Sequence, residues 1–360
     1  MLQALGLAER SIGLSDPNPR VGCVIGRDDG SVIATGWTQR LGGLHAEAMA
    51  IADAKARGND LNGATAWVTL EPCAHQGRTP PCANALVDAG IARVVVAITD
   101  PFPAVAGAGM DRMRHAGIHV GMAEGDLATL AHEMNIGYFS RVLRKRPWVR
   151  MKIAASLDGS TALLNGASQW ITGPEARLDG HLWRKRSSAV LTGIGTVLAD
   201  DPRMDVRLVS TDLQPMRVVV DSRLRILSSA RILSGPGPCV VATAVLDQTS
   251  AAALGKMGIE VIALPNANGQ VDINALLNEL AQRGVNELHI EAGARLNGDF
   301  LKHRLVDELL VYLAPKIIGP GHAMSLLAPI QALSDCVNLT FTDISRLGAD
   351  VRIRALVASD

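Results

Sequence analysis

Residues 65–82 read TAWVTLEPCAHQGRTPPC, and this stretch decides how the first half of the chain folds. Its first part, Thr65–Leu70, has the β-branched and aromatic residues of a strand. Its last residues begin a helix predicted from Pro81 to Asp88. Cys73 follows the strand and Cys82 lies in the first turn of the helix. Strand and helix signals that alternate in this way indicate an α/β domain, in which helices cover a sheet.

A second motif, His45-Ala46-Glu47, begins an alanine-rich helix predicted from His45 to Arg57. We expect Glu47 to act as a general acid–base rather than as a metal ligand. It would take a proton from a water molecule and pass it to a substrate ring and a departing amine. A His-x-Glu motif combined with a Pro-Cys pair is the arrangement found in zinc nucleobase deaminases.

Three side chains, His45, Cys73 and Cys82, are predicted to bind zinc. Zn2+ accepts imidazole and thiolate ligands in tetrahedral geometry, and three protein ligands leave a fourth position open for water. Metal coordination lowers the pKa of water from about 15.7 toward about 7, and nearby helix N-termini favour the thiolates. The pattern therefore indicates a zinc-dependent hydrolytic deaminase with Glu47 as its catalytic residue.

Two other functions would use the same residues. His45, Cys73 or Cys82 alone would more often be an ordinary core residue, and only the combination of the three favours a metal site. A tRNA or nucleobase deaminase with an appended binding domain would share all four side chains. A non-catalytic, zinc-stabilised binding module would need a fourth protein ligand, for which His75 is the only nearby candidate.

Composition and charge limit the partners of the chain. It has 360 residues with 35 basic and 35 acidic side chains, so no net field draws it to nucleic acid or to a membrane. Aromatic residues make up only 3%, which leaves few platforms for stacking a single-stranded nucleic acid. No apolar run approaches the roughly 18–20 residues that span a bilayer. We therefore expect no nucleic-acid partner and no membrane partner.

The N-terminus and the cysteines bear on localisation. The first ten residues, MLQALGLAER, lack a basic flank and a cleavage site, so we expect a short amphipathic helix there rather than a signal peptide. Five cysteines are too few for a disulfide scaffold, and two of them belong to the metal-type motif. These features favour a reducing, cytoplasmic environment.

The pattern of elements predicts two α/β domains. The basic run Arg144-Lys145-Arg146-Pro147 interrupts the pattern, and we interpret it as a solvated helix end and linker rather than a nucleic-acid patch. The predicted domains are residues 1–145 and 146–360. Besides the elements given above, strands are expected at Val21–Gly26, Ser31–Trp37, Arg93–Ile98, Ile118–Met122, Trp148–Ala155, Ala189–Thr192, Met216–Asp221, Cys239–Ala244, Ile259–Leu264, Glu287–Glu291, Leu309–Leu313 and Asp350–Ile353. Further helices are expected at Gly107–Ala116, Leu127–Leu143, Pro174–Arg186, Ser250–Met257, Ile273–Arg283 and Arg295–His303.

Glycines in the second domain suggest a phosphate site without proving one. Gly293 lies between a predicted strand and a predicted helix, where backbone amides can approach phosphate. Gly193-Ile194-Gly195 begins like a dinucleotide fingerprint, but Leu198 occupies the third glycine position, so a Rossmann assignment fails. From these residues alone, a plain tight turn at Gly193–Gly195 is the favoured interpretation.

The motifs of the first domain resemble those of one enzyme family. His-Ala-Glu followed by TLEPCAHQGRTPPC resembles the deaminase domain of the bifunctional riboflavin-biosynthesis deaminase/reductases. Other cytidine-deaminase-like enzymes usually have Cys-x-x-Cys, whereas residues 74–81 intervene here. The stretch Asp16–Gly22 (DPNPRVG), Asp100-Pro101 and Val105–Gly107 also match, while Ala74 stands where the family often has serine.

The second domain resembles the reductase domain of the same family. The matching stretches are Lys152–Gly159, Ser168–Thr172, Thr192–Pro202 and Glu291–Gly293, and the resemblance covers residues 4–356. It implies a cytidine-deaminase-like α/β/α domain followed by a dihydrofolate-reductase-like α/β domain, with Zn2+ and NADPH as cofactors. It also implies a small-molecule substrate and a homo-oligomer, either a dimer or a tetramer.

The resemblance also implies a set of site residues. Those expected to meet NADPH are Ala154, Trp170, Thr196, Asp200, Ser222, Gly293, Ala294, Arg295, Leu296, Asn297, Gly298 and Asp299. Those expected to meet substrate are Asn18, His75, Lys152, Ser168, Arg184, Met204, Arg207 and Glu291. Arg184 and Arg207 suit a 5′-phosphate, because guanidinium groups match phosphate oxygens.

The implied reactions are consecutive. The first is hydrolytic deamination of 2,5-diamino-6-(5-phosphoribosylamino)pyrimidin-4(3H)-one. The second is NADPH-dependent reduction of the ribosyl group, which gives 5-amino-6-(5-phosphoribitylamino)uracil.

Overall fold

The computed structural model describes residues 1–74, 80–103, 105–245 and 247–358 and divides the chain into two compact units. Unit 1 ends at Arg146 and unit 2 begins at Pro147, one residue from the boundary that the sequence predicts. The helix before the boundary ends because Lys145 adopts a left-handed conformation, with φ of 59°. The Ser140 hydroxyl then donates to the carbonyl of Arg146 at 2.8 Å, which fixes the chain where it leaves the helix.

Unit 1 contains a five-stranded sheet in the order β2-β1-β3-β4-β5. Strand β1 runs antiparallel to β2 and β3, whereas β3, β4 and β5 are parallel. The strands are β1 (Gly22–Gly26), β2 (Val32–Trp37), β3 (Thr65–Val68), β4 (Arg93–Val96) and β5 (His119–Met122). The helices are α1 (Leu2–Ala8), α2 (Ala46–Ala56), α3 (Cys82–Asp88), α4 (Ala108–His115), α5 (Leu127–Met134) and α6 (Ile136–Arg144).

Helix α2 lies unusually close to the sheet. Its buried face consists of small side chains, namely Ala46, Ala50 and Ala54, all fully buried. On the facing strand β2, a side chain at Gly36 would lie 2.1 Å from the Ala46 carbonyl oxygen, so only glycine fits. This close contact fixes the N-terminus of α2, where His45 and Glu47 lie.

The single helix expected at Leu127–Leu143 is wrong, because the structure has two helices that meet at Asn135. The Asn135 side chain accepts from the backbone N–H of Arg20 at 2.7 Å and donates to the Arg20 carbonyl at 2.9 Å. The apolar periodicity of the sequence continues across Asn135, so it predicts one helix. The break is explained by the contact between Asn135 and the distant Arg20 and not by a low helix propensity.

Unit 2 contains a nine-stranded sheet in the order β11-β10-β9-β8-β12-β6-β13-β16-β15. The strands from β11 to β13 in this order are parallel, and β16 and β15 continue the sheet in antiparallel fashion. The sheet strands are β6 (Trp148–Ser156), β8 (Ala189–Gly193), β9 (Met216–Val220), β10 (Cys239–Thr243), β11 (Glu260–Ala263), β12 (Glu287–Ile290), β13 (Glu308–Ala314), β15 (Leu339–Leu347) and β16 (Asp350–Val357), and a separate pair is formed by β7 (Ala162–Leu163) and β14 (Gly321–His322). The helices are α7 (Pro174–Arg186), α8 (Ile194–Asp200), α9 (Gln248–Lys256), α10 (Ile273–Gln282) and α11 (Ala294–Lys302).

The two faces of this sheet differ in chemistry. One face packs its apolar side chains, such as Val149 and Met151, against apolar residues of α10 and α11. The other face carries buried charges, among them Arg150, which pairs with carboxylates on both neighbouring strands and lies 4.4 Å from the ring of Trp183 on α7. Helix α7 packs on this face through a small apolar cluster of Ala176, Leu310 and Tyr312 beside the buried charges, and brings its own charged residues to the strand ends.

Several elements of unit 2 differ from expectation, among them the short strands β7 and β14, which were not predicted. The plain tight turn favoured at Gly193–Gly195 is wrong, because Gly193 is the N-cap of helix α8. Strand β15 was not predicted, since its apolar residues are mostly exposed and give no core pattern. The predicted α/β class is confirmed in both units. Within the described part of the chain, no helix combines the length and hydrophobicity needed to cross a bilayer.

Candidate active sites

The structure brings His45, Cys73 and Cys82 together in unit 1. His45 is the N-cap of α2, Cys82 is the first residue of α3, and Cys73 lies in the loop after β3. The Nδ1 atom of His45 lies 3.8 Å from the sulfur of Cys73 and 3.3 Å from that of Cys82. Ligands of a tetrahedral zinc ion, with Zn–S near 2.3 Å and Zn–N near 2.05 Å, lie about 3.6 Å apart. The three side chains therefore fit one zinc ion.

The protonation of the two cysteines also calls for a cation. The pKa of Cys73 is lowered to about 4, first by the hydrogen bond from the Cys82 thiol and then by His45. The backbone N–H of Cys82 also donates to the Cys73 sulfur, at 3.3 Å. The pKa of Cys82 is raised, because its proton is held in that bond and because the thiol is buried. Both sulfurs can be thiolates only when a positive ion lies between them.

Glu47 lies in the first turn of α2 and is buried beside this cluster. Burial raises the pKa of its carboxyl to about 7, and the negative charge of Cys73 acts in the same direction. The carboxylate also contacts the Cys82 thiol. A carboxyl group in this position can accept a proton and return it at neutral pH.

Sequence reasoning missed the role of Glu71, which precedes Pro72 and Cys73. Its buried carboxylate accepts four backbone N–H groups, from Asp100, Gly107, Gly109 and Met110, at 3.0–3.3 Å. Glu71 thereby ties the loop that carries Cys73 to the N-terminus of α4. The sequence feature that could have indicated this role is the position of Glu71 directly before Pro72 and Cys73.

Two substrate residues were expected in unit 1. Asn18 lies in the loop before β1, where its carbonyl accepts from the Ser15 hydroxyl at 3.3 Å. His75, which was also the candidate fourth ligand of a structural zinc site, lies outside the described residues. The metal-ligand cluster found among the described residues consists of three side chains, as a catalytic site requires.

In unit 2, two helix N-termini meet at the carboxyl ends of the neighbouring parallel strands β8 and β12. Helix α8 begins after Gly193, and α11 begins after Gly293. A side chain at Gly293 would lie 3.8 Å from the Thr196 hydroxyl, so the two expected cofactor residues are adjacent. Converging helix N-termini at strand ends suit a pyrophosphate.

The other expected cofactor residues lie at several places in unit 2. Ala154 is in β6, Asp200 is the last residue of α8, and Ser222 follows β9, where its hydroxyl accepts from the Val271 N–H at 3.1 Å. Trp170 is 61% exposed and stacks with Arg177 at 4.7 Å.

Two residues of the expected α11 segment contact protein. Asn297 donates to the Met324 carbonyl at 2.9 Å, and a side chain at Gly298 would lie 1.9 Å from the Leu326 carbonyl oxygen. The Asn297 hydrogen bond and the close approach of the backbone at Gly298 therefore hold residues 324–326 against α11.

Three expected substrate residues form one charged cluster. Glu291 follows β12 and accepts from Arg184 of α7 through both oxygens, at 2.5 and 2.9 Å, and Lys152 of β6 lies 3.6 Å away. Burial alone would raise the pKa of Glu291, but Arg184 and Lys152 hold it well below its usual range. The Glu291 carboxylate, which lies at the carboxyl end of β12, is therefore ionised.

Of the remaining substrate residues, two lie in the loop after α8. Met204 is buried in a left-handed conformation, with φ of 54°, and its sulfur lies 3.9 Å from Arg184. Arg207 pairs with Asp205 at 2.8 Å. Ser168 lies in the loop before α7, and among the described residues no hydrogen bond or ion pair joins it to this cluster.

Comparisons with known sequences match both units. Residues 147–353 match the family described as the RibD C-terminal domain, and residues 1–98 match the cytidine and deoxycytidylate deaminase zinc-binding region. A riboflavin biosynthesis protein RibD of Escherichia coli K12 is 40% identical, covering 98% of this chain and 96% of its own length. One from Aquifex aeolicus is 37% identical over the same shares.

Two solved structures each match 99% of this chain. Acinetobacter baumannii RibD is 39% identical with a TM-score of 0.89 and covers 99% of this chain and 98% of its own. A Thermotoga maritima structure, described as a diaminohydroxyphosphoribosylaminopyrimidine deaminase/5-amino-6-(5-phosphoribosylamino)uracil reductase, is 32% identical with a TM-score of 0.88, covering 99% and 97%.

These findings confirm the two expected fold types, the two enzymatic activities and the cofactors Zn2+ and NADPH. They favour the bifunctional enzyme over a nucleobase deaminase with an appended binding domain, because the second unit matches a reductase over nearly all of its length. The chain therefore belongs to the RibD family of bifunctional deaminase/reductases in riboflavin biosynthesis.

Proposed function

We propose that unit 1 removes the 2-amino group of 2,5-diamino-6-(5-phosphoribosylamino)pyrimidin-4(3H)-one and that unit 2 reduces the ribosyl group of the product to a ribityl chain. The observation that carries this proposal is the three-ligand cluster beside a buried Glu47 in a chain that also holds the Glu291 cluster. The activity ascribed to the Thermotoga maritima structure, which unit 1 and unit 2 both match, supports the choice of substrate.

In the deaminase site, His45, Cys73 and Cys82 would hold the zinc ion. When bound there, zinc acts as a Lewis acid that makes water a nucleophile at neutral pH. Glu47 takes one proton from the attacking water and delivers it to the ring nitrogen. It then takes the proton of the hydroxyl group that the attack has placed on the ring carbon and delivers it to the 2-amino group, which leaves as ammonia. Asn18 and His75 are proposed to orient the pyrimidine.

In the reductase site, Lys152 and Glu291 are proposed to orient the ring-opened sugar, and the resemblance gives its phosphate to Arg184 and Arg207. The ion pairs that Glu291 forms with Lys152 and Arg184 support a common site for these residues. When bound, NADPH supplies a hydride to C1′ of the sugar. Ser168 and Met204 complete the proposed substrate set. The proposed cofactor set is Ala154, Trp170, Thr196, Asp200, Ser222 and residues 293–299, which supply backbone amides and packing surface.

One assay tests both activities. The full chain is supplied with the diaminopyrimidinone phosphate, and ammonia release and NADPH oxidation are followed separately. We expect ammonia first and NADPH oxidation only afterwards. NADPH oxidation without ammonia release would contradict the order, and release of inosine from tRNA would favour the alternative deaminase.

We also propose that the chain forms a homo-oligomer through strand β15. This edge strand exposes Leu339, Phe341 and Ile344, and the preceding residues 326–333 expose further apolar side chains. Exposed apolar edge strands pair readily, and a second copy of the same edge gives a symmetric contact. Phe341→Asp should lower the mass measured by light scattering, whereas Leu130→Asp on α5 should not.

The remaining partner and localisation proposals follow the same chemistry. A reducing cytoplasm suits Cys73 and Cys82 as thiolate ligands, because their oxidation would destroy the metal site. Balanced charge favours a small-molecule substrate over nucleic acid or a membrane surface.

A further inference from the structure

A buried carboxylate holds two arginines beside the reductase cluster. Asp205 accepts from Arg207 Nη1 at 2.8 Å and from Arg203 Nη2 at 2.7 Å, one arginine on each oxygen. The Asp205 side chain is 1% exposed, whereas those of Arg203 and Arg207 are 43% and 41% exposed. Burial would raise the pKa of Asp205, but the two arginines lower it, so the carboxylate stays ionised.

The backbone on the C-terminal side of Asp205 is fixed by side chains from elsewhere. The Gln214 amide accepts from the Val206 N–H at 2.9 Å and donates to the Val206 carbonyl at 2.8 Å. The Arg207 N–H donates to His181 Nδ1 at 3.2 Å. Because these bonds hold the peptide groups on both sides of the Val206–Arg207 bond, Arg207 projects from a defined position, and Arg203 is held through its ion pair with Asp205.

The same segment is joined to the proposed substrate site. Arg184, which binds Glu291 through two nitrogens, uses its third nitrogen to donate to the Asp205 carbonyl at 2.9 Å. One guanidinium group therefore links the charged cluster at the strand ends to the segment that carries the arginine pair.

The charge of this group favours an anionic ligand. Two guanidinium groups and one carboxylate leave one net positive charge. Each arginine uses one nitrogen for Asp205, and no other partner for either side chain is found among the described residues. Free N–H groups on half-exposed guanidinium groups are the donors that phosphate monoesters prefer.

We propose that Arg203 joins Arg207 at the terminal phosphate of the reductase substrate, with both guanidinium groups held by Asp205. Arg203 takes the place that the resemblance gave to Arg184, because all three Arg184 nitrogens are engaged by Glu291 and the Asp205 carbonyl. Arg203 is then a further binding residue, and Asp205 is a positioning residue that does not touch substrate. This inference rests on the proposed function of unit 2 and adds a determinant of its specificity.

The test compares two substrates that differ only in the phosphate. Reduction of the deaminated ribosylaminouracil phosphate, and of the same compound after phosphatase treatment, is measured with wild type, Arg203→Gln, Asp205→Asn and the control Arg57→Gln. Arg57 is an exposed arginine paired with Asp53 in unit 1. We expect Arg203→Gln to raise KM for the phosphorylated substrate about tenfold with little change in kcat, which corresponds to about 1.4 kcal/mol of lost binding.

Asp205→Asn should also lower the preference for the phosphorylated substrate, while Arg57→Gln leaves it unchanged. An equal loss on both substrates, or no change in the preference with Arg203→Gln, would overturn the proposal. A higher KM for NADPH instead would assign the arginines to a cofactor phosphate and overturn it as well. If wild type fails to oxidise NADPH with either substrate, the proposed function itself is wrong. Arg203→Gln alters an exposed side chain, so it keeps the test valid if Asp205→Asn does not fold.

Discussion

Glu47 shows how one residue gains its chemistry from its surroundings. It lies in the first turn of α2, one residue beyond the point where Gly36 lets the helix approach the sheet. Burial and the charge of Cys73 raise the pKa of its carboxyl to about 7. A carboxyl group in bulk water would hold its proton far more weakly.

Glu47→Gln is therefore expected to keep zinc and to lose ammonia release by about 10²–10⁴-fold, because the amide cannot carry a proton. Reduction of the deaminated substrate should be unchanged. Zinc content by atomic absorption and ammonia release check both points. Near-normal deamination would rule out the proton-transfer role.

Glu71→Gln tests a residue that touches neither zinc nor substrate. The amide NH2 would face two of the four backbone N–H groups that the carboxylate now accepts. Outer-sphere changes of this kind lower metal affinity about 10–100-fold. Competition with a chelator measures the loss, and unchanged zinc affinity would contradict the positioning role.

The sequence predicted His45, Glu47, Cys73 and Cys82 because zinc chemistry demands particular residue types at short spacings. It did not predict Glu71 as an anchor or Asp205 as the centre of an arginine pair. Glu71 binds backbone N–H groups of α4 that come near it only in the folded chain. Asp205 is two residues from each arginine, but its burial, which lets it hold both, also arises only on folding. Periodicity carries no information on such contacts.

At the scale of elements, most strands and helices were predicted within one or two residues, because their apolar runs end at glycine, proline or polar residues; β1, β10 and β12 are such runs, buried along their whole length. The exceptions have separate causes. Helix α5 ends at Asn135, whose side chain binds the backbone of Arg20. Strand β15 lies at the edge of the sheet, and its apolar residues are exposed. In both, tertiary structure rather than local pattern decides.

Asn135→Ala is expected to destabilise unit 1 by about 2–4 kcal/mol, because two buried backbone groups of Arg20 would lose their partners. Asn59→Ala is a suitable control, since Asn59 makes an exposed bond to the Ile33 carbonyl. Urea denaturation measures both. Equal, small effects would show that the helix break is tolerated for another reason.

At the scale of the whole molecule, each unit has its own core and its own site. The zinc ligands and the main core of unit 1 come from residues before the boundary, whereas the Glu291 cluster and two further cores belong to unit 2.

A chelator should therefore stop ammonia release from the full chain while reduction of the deaminated substrate continues. The reason is that both thiolates depend on the metal, whereas Glu291 is kept ionised by Arg184 and Lys152. Ammonia and NADPH are followed in the same sample, and added zinc should restore the first activity. If reduction stops together with deamination, and circular dichroism shows unit 2 still folded, the reductase site depends on zinc and the division of labour between the units is wrong.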